Sequence, residues 1–197
     1  MITAEDFLFM YATLGSAVLA GIVNSIWCKS KVDFLKKPID AGKKFFDGRR
    51  IFGDNKTWKG LVGYVFFNII AAVVFGWIFN LCSINQYSYI YQNYTNNFLF
   101  NIGLGALIGF VYAVFELPNS FLKRRLDIKP GKSANGWKKV FFTFLDQADS
   151  VFGLCLVVCF FHPMSVGFYL LYVLVGSLTH ILINTLLYFI GLRKNMF

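Results

Sequence analysis

Charge is scarce in this sequence. Of 197 residues only 15% are Asp, Glu, Lys or Arg, while 57% are hydrophobic. Soluble domains carry about 25% charged residues, so an ordinary water-exposed globular fold is excluded. The four cysteines (Cys28, Cys82, Cys155 and Cys159) form no CxxC pair and no metal-ligand spacing, which argues against a disulfide framework or a zinc site. Cys155 and Cys159 lie inside an apolar run and read as small packing residues. A Walker A loop is missing too: GxxxxGK[ST] fits neither around Gly53 nor at Gly131-Lys132-Ser133. No basic residue precedes Lys29, and Glu5 and Asp6 open the chain. The first apolar run is therefore expected to be an uncleaved helix rather than a secretory signal.

What is present is a series of long apolar runs, at about 7–27, 58–81, 98–117, 140–162 and 165–192. Each is long enough to cross the ~30 Å hydrocarbon core of a bilayer. The expectation is an all-α integral membrane protein of about five transmembrane helices, with residues 1–197 forming a single membrane-embedded catalytic domain. Gly105 and Gly109 give the third span a GxxxG spacing that suits close helix packing. Tyr87, Tyr89, Tyr91 and Tyr94, between the second and third spans, suit a membrane–water interface.

The formal charge is +9, and its placement matters more than its size. Residues 28–59 hold ten Lys or Arg, residues 118–139 hold seven, and the tail holds Arg193 and Lys194, which accounts for all nineteen. By the positive-inside rule the two basic loops and the C-terminus are cytoplasmic and the N-terminus is outside. The expected location is the cell membrane, with a site formed by the two basic loops on the cytoplasmic side.

The candidate chemistry gathers in those polar stretches. Asp146 and Asp149, at i and i+3, share a helix face. Carboxylates within a span usually face a bundle interior or a water-filled cavity, and two of them one turn apart can hold Mg²⁺ together with water and phosphate oxygens. If the helix begins later, they are instead solvated acids at its N-terminus. Gly53, Asp54 and Asn55 suggest a tight turn, with Thr57 as N-cap of the second span. Such a turn offers free amides to an anion, and Lys56 adds a charge for phosphate, with Lys59, Arg49 and Arg50 as further cations. Anchoring to acidic headgroups would use the same residues. Lys123, Arg124 and Arg125 could clamp a triphosphate or a lipid phosphate, or act only as topogenic charge. Glu116 and Asn119, with Ser120 beside them, could complete a metal or ribose site. Ser177, His180 and Asn184 share a face of the fifth span, where interhelical hydrogen bonds are the ordinary role.

At these residues the chain resembles the CDP-archaeol synthase family, integral membrane enzymes related to phosphatidate cytidylyltransferases. The resemblance rests on DGRRIFGDNKTWKG (47–60), NSFLKRRLDIKPG (119–131), LDQADSVFG (145–153) and HILINTLLYFIGLR (180–193), in the family's order. It implies transfer of a cytidylyl group from CTP to a lipid phosphate of archaetidic- or phosphatidic-acid type, giving a CDP-lipid and pyrophosphate with Mg²⁺. It further implies that Asp146, Asp149 and Lys56 are catalytic and that the two aspartates hold the metal. Gly53, Asp54, Asn55, Thr57, Glu116, Asn119, Ser120, Lys123, Arg124 and Arg125 would then bind substrate. The expected partners are CTP, a membrane lipid phosphate and the bilayer, with no nucleic acid. Two departures stand out: the family usually has Gly where Asn55 stands, and many archaeal members have Gly-Asp at Glu116-Leu117. The second suggests a bacterial branch. A small ion or solute transporter using the aspartate pair is the alternative, and it predicts polar residues spread through the depth of the bilayer.

Overall fold

The computed structural model describes residues 3–132 and 134–192; Ser133, Arg193 and Lys194 lie outside the described residues. Five helices follow one another: α1 (Ala4–Lys29), α2 (Trp58–Leu81), α3 (Phe98–Arg125), α4 (Trp137–Phe161) and α5 (Val166–Phe189). All five are long and apolar enough to cross a membrane. Each packs on the next and α1 also touches α5. Side-chain oxygens of Thr3, Thr57, Asn97 and Ser165 cap four of the helix starts, satisfying amides that a helix leaves unpaired.

α4 is the most enclosed of the five helices. Val151, Leu154, Cys155 and Val158 pack there against Met10 and Leu14 of α1 and Tyr172 of α5. Bulky side chains such as Phe66, Trp77, Phe110, Phe160 and Leu182 point outward, which suits hydrocarbon and not water. Between α2 and α3, a Cβ on Gly105 would lie 2.6 Å from Ile69 Cα, and one on Gly109 the same distance from Val65 Cα. The GxxxG pair therefore lets two backbones touch, as its spacing predicts.

Three expectations change. The third span does not end at 117: α3 continues through Pro118 to Arg125. A proline inside a helix removes one hydrogen bond, which membrane helices tolerate, and Lys123, Arg124 and Arg125 in the last turn suit the negative end of the helix dipole. The first part of the second basic loop is thus helical. α4 starts at Trp137, so Asp146 and Asp149 lie beyond its second turn and are not end-of-helix acids. Tyr89 and Tyr91 point inward instead of along the outer surface of the bundle. They turn into the end of the bundle formed by residues 82–97, where the Tyr89 hydroxyl donates to Asp6 Oδ1 (3.2 Å) and that of Tyr91 to Asn101 Oδ1 (2.8 Å). Burial pushes the Tyr91 hydroxyl up to about 12.

Candidate active site

The opposite end of the bundle collects the C-termini of α1, α3 and α5, the N-termini of α2 and α4, and the segment between α1 and α2. That segment is built around Asp40. Its carboxylate accepts from Arg50 Nη2 (2.7 Å) and Nε (3.3 Å) and from the amides of Phe52 (2.9 Å), Gly53 (3.0 Å) and Gly42 (3.1 Å). Burial pushes this carboxyl up, but the Arg50 bonds and the three amides outweigh it and hold Asp40 well below the usual carboxylate range. Gly53 has φ +108° and is pressed against Pro130 (2.7 Å from an added Cβ), a place where a side chain is excluded. Arg49 reaches the carbonyl of Arg125 and Asp127 Oδ2 (2.7 Å). Arg125 returns a bond to the carbonyl of Arg50, pairs with Asp47 at 3.0 Å and lies over the Phe121 ring at 4.5 Å. The loop is thereby docked on the end of α3.

Several residues expected at a substrate therefore belong to this scaffold. The Gly53 amide is donated to Asp40, Asp54 pairs with Arg50 at 2.8 Å, and Thr57 caps α2 by accepting from Gly60 N at 3.2 Å. Arg125, Arg49 and Arg50 hold the loop. Lys59 is 2% exposed and donates to Ser30 O, Ser30 Oγ and Val32 O at 2.9–3.0 Å, tying down the chain that leaves α1. Each of these cations and donors has a partner within the scaffold, and none of them lines the cavity described next.

Asn55, Lys56, Glu116, Asn119, Ser120, Lys123, Arg124, Asp146 and Asp149 line one cavity of about 560 Å³. Along α1 it extends from Lys29 to Leu14, about 20 Å at 1.5 Å per residue. Its inner half is apolar, walled by Ala17, Val151, Leu154 and Gly176. At its polar end Asn119 Nδ2 bridges Asp146 Oδ1 and Asp149 Oδ2 at 2.7 Å each. Lys123 pairs with Asp146, and Asp149, 9% exposed, also accepts from Ser150 N at 2.6 Å. Lys123 of α3 thus supplies a counter-charge to the aspartates of α4.

Lys56 pairs with Glu116. Burial pulls the Lys56 ammonium down, but the Glu116 carboxylate outweighs it, so Lys56 is held above the ordinary lysine value and charged. Arg124 is different. It is 6% exposed, and its Nε and Nη1 have no hydrogen-bond partner among the described residues. Buried guanidinium nitrogens without an acceptor are costly, and this side chain lines the cavity.

Could these residues hold a divalent cation? Asp146 and Asp149 offer oxygens close enough to share one donor, and the buried Asn119 Oδ1 is an acceptor with no partner among the described residues. No group of three His, Cys, Asp or Glu residues able to hold a metal occurs among the described residues. The protein would thus supply two carboxylates and an amide oxygen, leaving the remaining positions to water and phosphate, a set that suits Mg²⁺.

On the far wall, His180 Nδ1 lies 3.1 Å from the Gln147 carbonyl, Asn184 donates to Gln147 Oε1 at 2.7 Å, and Tyr112 lies 3.4 Å from His180 Nε2. His180 and Asn184 make the interhelical contacts expected of them while also lining the cavity. Ser177 is buried, and its Oγ has no partner among the described residues. Tyr112 and Asn24 were missed in the sequence. Tyr112 carried a signal, standing four residues before Glu116 on the same helix face; Asn24, in an apolar run, carried none.

The CarS-like CDP-archaeol synthase family model matches residues 30–197. The CDP-archaeol synthase of Methanosarcina mazei is 32% identical over 170 residues, covering 80% of this chain and 89% of that protein. That of Pyrococcus furiosus is 36% identical over 154 residues, covering 77% and 78%. That of Pyrobaculum islandicum is 31% identical over 185 residues, covering 93% and 90%. A solved structure, described as an intramembrane enzyme for archaeal membrane lipids biosynthesis, aligns with a TM-score of 0.61 at 23% identity, over 88% of this chain and 91% of that one. At that identity the likeness shows a shared fold.

Proposed function

The chain belongs to the CDP-archaeol synthase family, and from that premise we propose that its cavity transfers CMP from CTP to a membrane lipid phosphate, releasing pyrophosphate. The observation that carries this reading is the make-up of the single cavity just described. A buried Arg124, with two guanidinium nitrogens lacking a hydrogen-bond partner among the described residues, stands with Lys56 and Lys123 beside a carboxylate pair at one end, and an apolar half follows at the other. A nucleotide triphosphate suits the first, and a hydrocarbon chain the second. We place the polar end on the cytoplasmic side, where the basic residues lie, in the cell membrane.

The acceptor phosphate is an anionic nucleophile, so no strong base is needed. Its oxygen attacks the α-phosphorus of CTP; the bond from that phosphorus to the bridging oxygen breaks and pyrophosphate leaves. The barrier lies in bringing anions together and in the charge that grows on the leaving group, which positioning and fixed positive charge reduce. Arg124 takes a phosphate as its missing partner, and Lys56 and Lys123 are arranged around the same space. Asp146 and Asp149, with Asn119 Oδ1, are the residues that would hold Mg²⁺, and the ion would supply neutralisation and orientation of phosphate oxygens. Asn119 keeps the two carboxylates together, and the apolar half keeps the lipid tail out of water. The transporter alternative has less support: the ionised groups of the cavity are at one end and do not form a path through it.

The test is turnover by purified protein in detergent with CTP, Mg²⁺ and either phosphatidic acid or its ether-lipid analogue, following pyrophosphate with and without lipid. Lipid-dependent release is expected, and the better acceptor names the lipid class. No release with either acceptor would refute the reading.

A further inference from the structure

The Lys56–Glu116 ion pair lines the same cavity as Arg124 and the aspartate pair. Lys56 enters the cavity from the turn ahead of α2 and Glu116 from α3, with side chains 21% and 29% exposed. The other two carboxylates of the site stand on α4 and are held by Asn119, Lys123 and the Ser150 amide. Glu116, on α3, has Lys56 as its ion-pair partner. Glu116, Asn119, Ser120 and Lys123 follow at i, i+3, i+4 and i+7, so one face of α3 presents the Glu116 carboxylate and the Lys123 ammonium to the same space.

We propose that Glu116 is a built-in competitor for the phosphate site. It holds Lys56 while the cavity is free of phosphate, yields it when a triphosphate binds, and takes it back as pyrophosphate leaves. This rests on the nucleotidyl-transfer reading above. The physical reasons are three. An unpaired ammonium in a partly buried cavity is unfavourable, so Glu116 keeps Lys56 charged and aimed inward. Carboxylate and phosphate oxygens are both anionic acceptors, and a compact ammonium on a flexible stem can pass from one to the other. After the exchange Glu116 faces a polyanion without its own counter-charge, and like charges at this range repel. Glu116 thus weakens the substrate and product complexes alike, which speeds release. Phosphate binding that was tight throughout the cycle would not raise turnover. Arg124, whose Nε and Nη1 have no hydrogen-bond partner among the described residues, attracts phosphate without such an exchange.

Calorimetric binding of inorganic pyrophosphate with Mg²⁺ to the full chain in detergent, combined with steady-state kinetics, tests this. Glu116→Gln is expected to bind pyrophosphate about tenfold tighter and to lower the KM for CTP and kcat together, because product release slows. In a Lys56→Gln background the same substitution should tighten pyrophosphate binding clearly less than tenfold, since the competition for the ammonium is gone and only the direct repulsion is left to relieve. A purely structural role for Glu116 predicts weaker binding instead. Weaker or unchanged binding in a Glu116→Gln protein that keeps the wild-type thermal transition overturns the proposal. If that variant does not fold, Glu116→Asp, which draws the carboxylate back by one methylene, must tighten binding for the proposal to stand. Wild-type protein that binds neither pyrophosphate nor CTP refutes this and the underlying reading together. Wild-type turnover combined with looser binding in the variant refutes this inference alone.

Discussion

Asp40→Asn should release the loop that delivers Lys56. The Asp40 side chain is fully buried, while Arg50 is 27% exposed, and the carboxylate accepts from two guanidinium nitrogens and three backbone amides. Breaking a buried, hydrogen-bonded charge pair costs about 3–5 kcal/mol. An asparagine keeps one oxygen as acceptor but turns an NH₂ toward donors, so the lower end, about 3 kcal/mol, is expected. At 1.4 kcal/mol per factor of ten, that is roughly a hundredfold shift toward an undocked loop. Asp54 offers the contrast. It bonds the same arginine at 2.8 Å but is 72% exposed, and an exposed pair contributes below about 1 kcal/mol. Limited proteolysis of residues 30–57 in detergent, with CTP binding measured in parallel, checks both. Asp40→Asn should be cleaved faster and bind CTP weakly, whereas Asp54→Asn should behave like wild type. The pH dependence follows from the depressed Asp40 carboxyl. Its stabilisation is complete above the unfolded value of about 3.9 and is lost as pH falls below that toward the folded value. Wild-type protection should therefore persist to about pH 4 and fade below it, and Asp40→Asn should lack this increment throughout. Equal protection of Asp40→Asn and wild type, or equal damage from Asp54→Asn, would refute the reasoning.

Asp149→Asn should abolish turnover, by at least about a hundredfold in kcat, while the protein still inserts and purifies; a fully active variant would remove the proposed metal role. Arg124→Met should act with opposite signs on two measurements. Removing a buried cation without a partner raises the ligand-free thermal transition, and it also removes most of the stabilisation by pyrophosphate; a lowered transition would show that Arg124 is already satisfied. Gly105→Leu should separate α2 from α3 and cost about 1–3 kcal/mol or more, because its Cβ would meet backbone rather than a movable side chain; an unchanged unfolding midpoint in detergent would show that the contact is not tight.

The five helices were legible because each apolar run had to satisfy its own backbone within hydrocarbon, leaving α-helix as the available form for a single span. The Gly105/Gly109 contact was legible for a similar reason: small residues at that spacing serve little except close approach. Boundaries were harder to read. Pro118 suggested an end to the third span, yet the helix passes through it, since one missing amide is a smaller loss than ending a helix whose next turn carries Asn119, Ser120, Lys123 and Arg124 into the cavity. The division of cations was the least legible part. Arg49, Arg50, Lys59 and Arg125 have the same residue types as Lys56, Lys123 and Arg124, and sequence offers no means of telling a docked guanidinium from a free one.

By itself, then, the sequence determined that the chain is a five-helix membrane protein with its ionisable groups concentrated at one end, because composition and spacing act locally and the bilayer penalises every exception. Only the tertiary structure decided which charges meet. Lys56 finds Glu116 sixty residues away, Lys123 finds Asp146, and Asn119 spans Asp146 and Asp149. Arg124 is brought into the cavity with two of its nitrogens unpartnered. Such pairings depend on which helix faces which, and that is set by the packing of whole faces rather than by any short stretch of residues.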